Sequence, residues 1–584
     1  MNQQIRRHSP EMLISLVILA VVVTVYSRSL QAGFVHWDDS IVYDNPHIRG
    51  LDWERIRWMF ADLKDVWRYM PLTWLGWALT YELFGLNPFA YHLGNLLFHC
   101  TNALFVFLLL RKLFLVAARI ELTTHKRDYL LWCCGLGALF WAIHPLRVET
   151  VAWVTDRVYV QSLFFLLLSL LCYLEYCDPA RPNKGKFYWY SVGAFAAALL
   201  SYQIGLGYVL VLAILDAWPL RRFDQEGKDR WWNGIARRIW LEKIPFAVVA
   251  GLVVVLTLLA RFHAGVHNSR PVSLAEFGIV ERAMQAFYIW AYYLWKPWFP
   301  VNLSPVYTTL MSIEPTAPRF VLSLLVVVAL TVLLALKRRR WPLVSTLWLC
   351  HLVLLVPVLG LTEHPHYPND RYSIIVSILW SVLVTSGLFK LWPLPALRRV
   401  MAGVVAVIVV LLSMLSFGQV GIWHDSVTLH EYIIAKLGGH PYCIGLYAQL
   451  GRIYSERGDD EKAASCFNQV LQLNPSVPEA HRFLGRILQQ QGKLEEAIGH
   501  YRAALSIVPN DSYSLNNLGA ALAAQGKFDE AVTQLSDAVR VNPGSVSARR
   551  NLARALTKLG RLDEARVHEQ EAERLDAKQP HSLP

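Results

Sequence analysis

The chain has 584 residues, 54% of them hydrophobic and 22 of them tryptophan, and carries a formal net charge of +12. Its mean hydropathy of +0.32 is averaged over a polar C-terminal quarter, so about the first 420 residues are too apolar for a water-soluble domain and belong in lipid. From residue 442 onward Lys plus Arg and Asp plus Glu are equal at 17 each; the positive charge is mostly topogenic, and nucleic acid is not implied as a partner.

Segments 11–27, 89–110, 129–144, 158–176, 188–202, 204–218, 243–261, 319–336, 342–361, 372–391 and 400–418 read as membrane spans, eleven in all. The 188–202 and 204–218 pair is short and reads as a tight hairpin. The first segment reads as an uncleaved span in preference to a cleaved signal peptide, because its core is longer than a typical signal-peptide core and no obvious small-residue cleavage site stands before Gln31. Threading from a cytoplasmic N-terminus with Arg6 and Arg7 puts Arg111, Lys112, Lys126 and Arg127 inside. Arg181, Lys184 and Lys186 follow, then Arg221, Arg222, Lys228, Arg230, Arg237 and Arg238, then Lys337 to Arg340, then Arg398 and Arg399. Every basic short loop thus falls on one side. An odd count leaves the C-terminus outside the cytoplasm, together with outer loops 28–88, 145–157, 262–318 and 362–371.

Chemistry is expected in these outer loops. The first carries His36-Trp37-Asp38-Asp39-Ser40. Adjacent carboxylates beside an apolar wall can supply a general base of raised pKa, or simply cap a short helix in a solvated loop. His144-Pro145-Leu146-Arg147-Val148-Glu149, followed by Trp153, Asp156 and Arg157, places titratable groups at a membrane boundary. They line a water-accessible cavity or form an amphipathic interfacial helix. Residues 283–300 are rich in Trp and Tyr and end in Lys296-Pro297-Trp298-Phe299-Pro300; they suit the headgroup level or the border of a lipid-tail groove. The last outer loop reads Glu363-His364-Pro365-His366 and then Asp370-Arg371-Tyr372, and this histidine spacing is too weak to indicate a metal. The span cysteines read as small buried apolar residues. Cys443 and Cys466 are on the oxidising side, where a disulfide is the less favoured reading.

Beyond Trp423 and a connecting segment, 424–441, small and large residues recur every 34 positions to residue 577, before a 578–584 tail. Gly451, Gly485 and Gly519, with Ala553 in the fourth copy, hold a close-contact site; Gly458, Gly492, Gly526 and Gly560 mark turns; Ala463, Ala497, Ala531 and Ala565 mark second helices. Pro475, Pro509 and Pro543 close three units. This is the pattern of four tetratricopeptide repeats (TPRs), the last a polar cap, so the chain is expected to be all-α: a polytopic membrane domain over 1–423 and a protein-binding solenoid over 442–577.

Read in order, His36-Trp37-Asp38-Asp39, Met70-Pro71-Leu72-Thr73, His144-Pro145 with Glu149, Asp216-Ala217-Trp218-Pro219-Leu220, Asp370-Arg371-Tyr372 and Trp423-His424-Asp425-Ser426 resemble the polytopic TPR glycosyltransferases. These are bacterial relatives of the transmembrane-and-TPR protein O-mannosyltransferases, of the GT-C class. The resemblance implies inverting transfer of a sugar from a polyprenyl-phosphate donor to a hydroxyl of an exported protein, with Asp38 or Asp39 as base. It implies a cavity in which Arg157 and Arg371 balance the leaving phosphate, with His144, Glu149 and Asp370 in its wall. No further cofactor or metal is identified. The TPRs would hold the acceptor on the periplasmic face of a bacterial inner membrane. Two positions depart from the family pattern: Tyr159 stands where relatives tend to carry Asp, and Tyr202 where they tend to carry Lys. Loss of charge there raises the alternative of an inactive, membrane-anchored TPR scaffold for envelope or secretion proteins.

Overall fold

The computed structural model describes residues 2–63, 69–118, 123–223, 233–263, 272–361, 366, 368–391 and 394–577. Among these the chain forms α-helices, 3-10 turns and loops, with no strand. It divides into two compact units, Met1–Asp425 and Ser426–Pro584. Glu363 and His364, like Lys228 and Arg230, lie outside the described residues.

In the first unit every expected span is helical, but helix length supports fewer independent crossings than eleven. Among the described residues seven helices are long and apolar enough to cross a membrane, or eight if Lys126–Ala142 and Pro145–Ala152, bent by 58°, make one span. The Gly185–Ser201 helix has 17 residues and the Tyr208–Ala217 helix only 10, less than about 20 residues at 1.5 Å each need for a ~30 Å core. This pair nonetheless runs out and back along Arg157–Cys177: the Ser201 hydroxyl is 3.3 Å from the Gln161 amide near one end, and Asp216 accepts from the Tyr173 hydroxyl at 2.8 Å near the other.

The helices sort their faces as lipid demands. On Pro395–Val420, Val400, Val404, Val407, Leu411 and Met414 form an exposed apolar stripe at helical spacing, while Ser416 turns inward and donates to the Ile143 carbonyl at 2.7 Å. Polar residues of Pro88–Ala118 face the bundle interior: Asn95 and Asn102 donate to the carbonyls of Trp153 and Val160 at 2.8 and 2.9 Å. Gly137 lets its helix approach Ser373–Leu391 so closely that an added Cβ would lie 2.1 Å from the Thr385 hydroxyl, the small-residue packing that membrane helices use.

The second unit opens with the Ser426–Leu437 helix and continues as four helical hairpins from Cys443 to Asp576. The turn glycines Gly458, Gly492, Gly526 and Gly560 all adopt positive φ, between 77° and 81°, where a side chain would be strained. The close-contact glycines have the expected large partners. An added Cβ would meet the Phe467 ring at 2.7 Å from Gly451, the Tyr501 ring at 2.7 Å from Gly485, and Leu535 at 2.5 Å from Gly519. Cys443 and Cys466 are both free thiols and both buried.

Candidate functional site

The first outer loop separates the two adjacent carboxylates. Asp39 is wholly buried: one oxygen accepts from the Val35 amide at 2.8 Å, the other from the Thr155 amide at 3.2 Å and the Thr155 hydroxyl at 2.5 Å. Burial pushes its pKa up to about 6 against the opposing pull of the Thr155 and Val35 donors. Asp38, one residue earlier, is half-buried, and its carboxylate has no partner among the described residues. Asp39 thus ties the first loop to the 145–157 loop, and Asp38 is left free beside that tie.

Residues 144–157 form the hub. His144 donates through Nε2 to the Pro297 carbonyl at 2.8 Å while Nδ1 accepts from the Leu146 amide at 3.2 Å, so both ring nitrogens hold backbone and the imidazole fastens the turn instead of facing a ligand. Glu149 receives the Arg371 amide at 3.0 Å on one oxygen and the Arg371 guanidinium at 2.5 Å on the other. That guanidinium lies 5.5 Å from the Trp153 ring centre and 5.4 Å from that of Tyr372, and Trp153 stacks on Trp423 at 5.3 Å. Asp370 is buried and accepts from the Tyr307 hydroxyl at 2.8 Å. All four expected outer loops therefore converge, joined by Asp39, Glu149, His144 and Asp370.

Arg157 is held by the expected outer loop 28–88 and by the helix that follows it. Buried at the start of Arg157–Cys177, it donates to Asn95 Oδ1 at 3.2 Å, the Gly76 carbonyl at 3.1 Å, the Thr80 hydroxyl at 2.9 Å and the Tyr91 carbonyl at 3.0 Å. Four of its five N–H groups are consumed clamping two neighbouring helices, and Gly94 lacks a side chain where the guanidinium passes. The guanidinium clamps helices Pro71–Phe84 and Pro88–Ala118, whereas that of Arg371 is paired with Glu149.

Neither Tyr307, which holds Asp370, nor the pairing of Tyr159 with Tyr202 has a local sequence signal. Those rings pack edge to face with centroids 4.9 Å apart, and Tyr372 lies 6.2 Å from Tyr159. The two departures from the family pattern are neighbours in space.

The Asp216-Ala217-Trp218-Pro219 motif lies at the opposite end of Arg157–Cys177. Asp216 is fully buried and held by Lys243 at 2.6 Å, Arg222 at 3.3 Å and the Tyr173 hydroxyl; Arg222 also pairs with Glu242 at 2.8 Å. Nearby, Lys112 pairs with Glu175, and Arg181 pairs with Glu175 at 2.7 Å. Between the two ends runs an apolar cavity of about 260 Å³, lined among others by Leu163, Leu166, Tyr208, Trp218, Ile375 and Leu379.

Residues 449–512 and 516–580 match the tetratricopeptide repeat family model. The human protein O-mannosyl-transferase TMTC2 is 27% identical over 228 residues, 36% of this chain and 25% of that protein. The Xenopus laevis protein O-mannosyl-transferase tmtc2 is 26% identical over 317 residues, 50% of this chain and 35% of that protein. The mouse protein O-mannosyl-transferase TMTC1 is 30% identical over 165 residues, 26% and 16% respectively. The matched region thus spans about a third or less of these relatives' own length. Among solved structures, that of MamA is similar with 19% identity and a TM-score of 0.24, covering 26% of this chain and 88% of that one.

Proposed function

We propose that this relative of the TPR-containing protein O-mannosyl-transferases transfers a sugar from a polyprenyl-phosphate donor to a hydroxyl of an exported protein. The observation that carries the reading is the convergence of four outer loops around Asp39 and Glu149, with Asp38 beside them and without a partner among the described residues. Asp38 takes the proton of the acceptor hydroxyl as the oxygen attacks the anomeric carbon from the face opposite the phosphate. The bond between that carbon and the phosphate oxygen breaks, the configuration inverts, and the lipid phosphate leaves with both electrons. Arg371, oriented by Glu149 and stacked on Trp153, faces the developing phosphate charge. The apolar cavity suits the first isoprene units of the donor tail.

The threading that puts Asp38 and the repeats on the periplasmic side of a bacterial inner membrane is supported by the same contacts. Loops expected outside meet at one end of the bundle, and the basic loops bearing Lys112, Arg181 and Arg222 meet acidic partners at the other.

Transfer of labelled mannose from synthetic mannosyl-phosphoprenol to exported protein in membranes tests the reading: Asp38→Asn should lose roughly 100-fold or more of the rate. The uncharged Tyr159–Tyr202 contact favours one alternative, the inactive scaffold. Absence of transfer by the wild type, with client capture by the repeats intact, would decide for it.

A further inference from the structure

Charge is segregated between the two helices of each TPR. The four first helices, Cys443–Glu456, Pro478–Gln490, Ser512–Ala524 and Val546–Lys558, carry seven basic and two acidic residues; the four second helices, from Asp460–Leu473 to Leu562–Asp576, carry five basic and thirteen acidic. The solenoid is neutral as a whole and strongly polarised across its thickness. Successive first helices approach one another more closely than successive second helices do, which puts the first helices on the inner curve. The inner face is therefore the basic one.

Its surface is built to grip main chain as well as charge. Asn551 donates to Asn516 at 2.9 Å across the last two repeats, and Asn516 to Asn517 at 3.2 Å, a short ladder of side-chain amides at that junction. One helical turn from the ladder register lie Arg486 and Arg554. Arg486 donates to the Ser455 hydroxyl and lies 5.3 Å from the Phe483 ring centre, with no carboxylate partner among the described residues. Arg554 is exposed and has no partner among them. Other cations of the face are partly satisfied: Arg452 by Glu479 at 3.5 Å, Arg482 by Asp511 at 3.7 Å, and Arg550 by Asp576 at 2.6 Å. Arg549 donates to the Pro543 carbonyl at 3.0 Å, and Arg486 and Arg554, without a carboxylate partner among the described residues, stand beside amides that can pair with a peptide backbone.

We propose that the inner face of the solenoid binds an extended acidic polypeptide segment, whose carboxylates engage Arg486 and Arg554 and whose main chain engages Asn517 and Asn551. This rests on the reading of the repeats as the acceptor-binding part and names the chemistry they select. The observation that distinguishes it from general stickiness is charge complementarity: a basic peptide should be rejected.

The test uses the full chain in uncharged phosphatidylcholine nanodiscs and a fluorescein-labelled 15-residue Asp/Ser/Gly peptide, with a Lys/Ser/Gly peptide as control. Fluorescence anisotropy should show the acidic peptide bound and the basic one not. Arg486→Glu with Arg554→Glu should weaken binding about tenfold or more, and so should a rise in salt. Arg486→Gln with Arg554→Gln gives a milder version should the reversal unfold the repeats, with helicity checked by circular dichroism. Equal binding of the two peptides, unchanged affinity in a folded Gln variant, or equal competition by a homopolymeric RNA would each overturn the proposal. Asp38→Asn should bind the acidic peptide normally. Binding without sugar transfer would then sink only the enzymatic reading, and transfer with no acidic preference would sink only this one.

Discussion

Tyr159, in Arg157–Cys177, and Tyr202, the extended residue just past Gly185–Ser201, pack edge to face with their ring centroids 4.9 Å apart, although they stand 43 residues apart. The resemblance leads one to expect an acidic residue at the first position and a basic one at the second, and here the two positions meet as an uncharged contact. A single reversion should leave a charge facing a phenol in a largely buried site, while both together should restore a pair. The double-mutant cycle on Tyr159→Asp and Tyr202→Lys is expected to show a favourable coupling of about 1 kcal/mol or more. Thermal unfolding in detergent reads it, and additive effects would refute the pairing.

The two carboxylates of the first loop should respond oppositely. Asp39→Asn places an amide where both oxygens accept, so one donor must meet a donor; about 1–3 kcal/mol of stability should be lost. Asp38→Asn should leave the unfolding temperature unchanged and remove transfer. Parallel melting curves and transfer assays check both halves.

Asp39 also sets a pH dependence. Its folded pKa of about 6 lies above the unfolded value, about 3.9, so within that window the folded chain keeps a proton that the unfolded chain has released. Stability from this group therefore falls as pH rises from about 4 to 6 and levels off above. The slope should vanish in Asp39→Asn, as measured by melting temperature against pH for the two proteins side by side.

Arg157→Lys tests the clamp. An ammonium cannot reach the four acceptors on residues 76, 80, 91 and 95, and a loss of about 3 kcal/mol follows from buried acceptors left unpaired. The fraction that folds should keep the wild-type donor KM. A selective rise in donor KM at unchanged stability would instead return Arg157 to the phosphate.

In the repeats, Gly485→Ala should force the Tyr501 ring aside, since the added methyl lies 2.7 Å from it, and cost about 1–3 kcal/mol. Tyr501→Leu in the same chain should recover part of that loss in a chemical-denaturation series.

The sequence was most legible where local pattern and global fold demand the same residues. The turn glycines of the repeats announce themselves because positive φ excludes side chains, and Gly451, Gly485 and Gly519 because a helix must pass against a ring. The membrane helices were legible as apolar runs. Their number of full crossings was not: within 204–218 the α-helix covers only Tyr208–Ala217, after a 3-10 turn at Gln203–Gly205. At the site, Asp38, Asp39, Glu149, Asp370 and Arg371 were legible as polar residues in loops beside lipid, while their division of labour was hidden.

What the sequence alone determined is therefore the plan: an apolar helical body, four outer loops with titratable residues, and a 34-residue solenoid, all encoded in composition and period. Tertiary structure alone decided which of two adjacent aspartates is locked and which has no partner among the described residues, that Arg157 clamps two helices while Arg371 pairs with Glu149, and that Tyr159 meets Tyr202. These are contacts between residues tens to hundreds of positions apart. Their partners are chosen by packing in three dimensions, and no local periodicity carries that information.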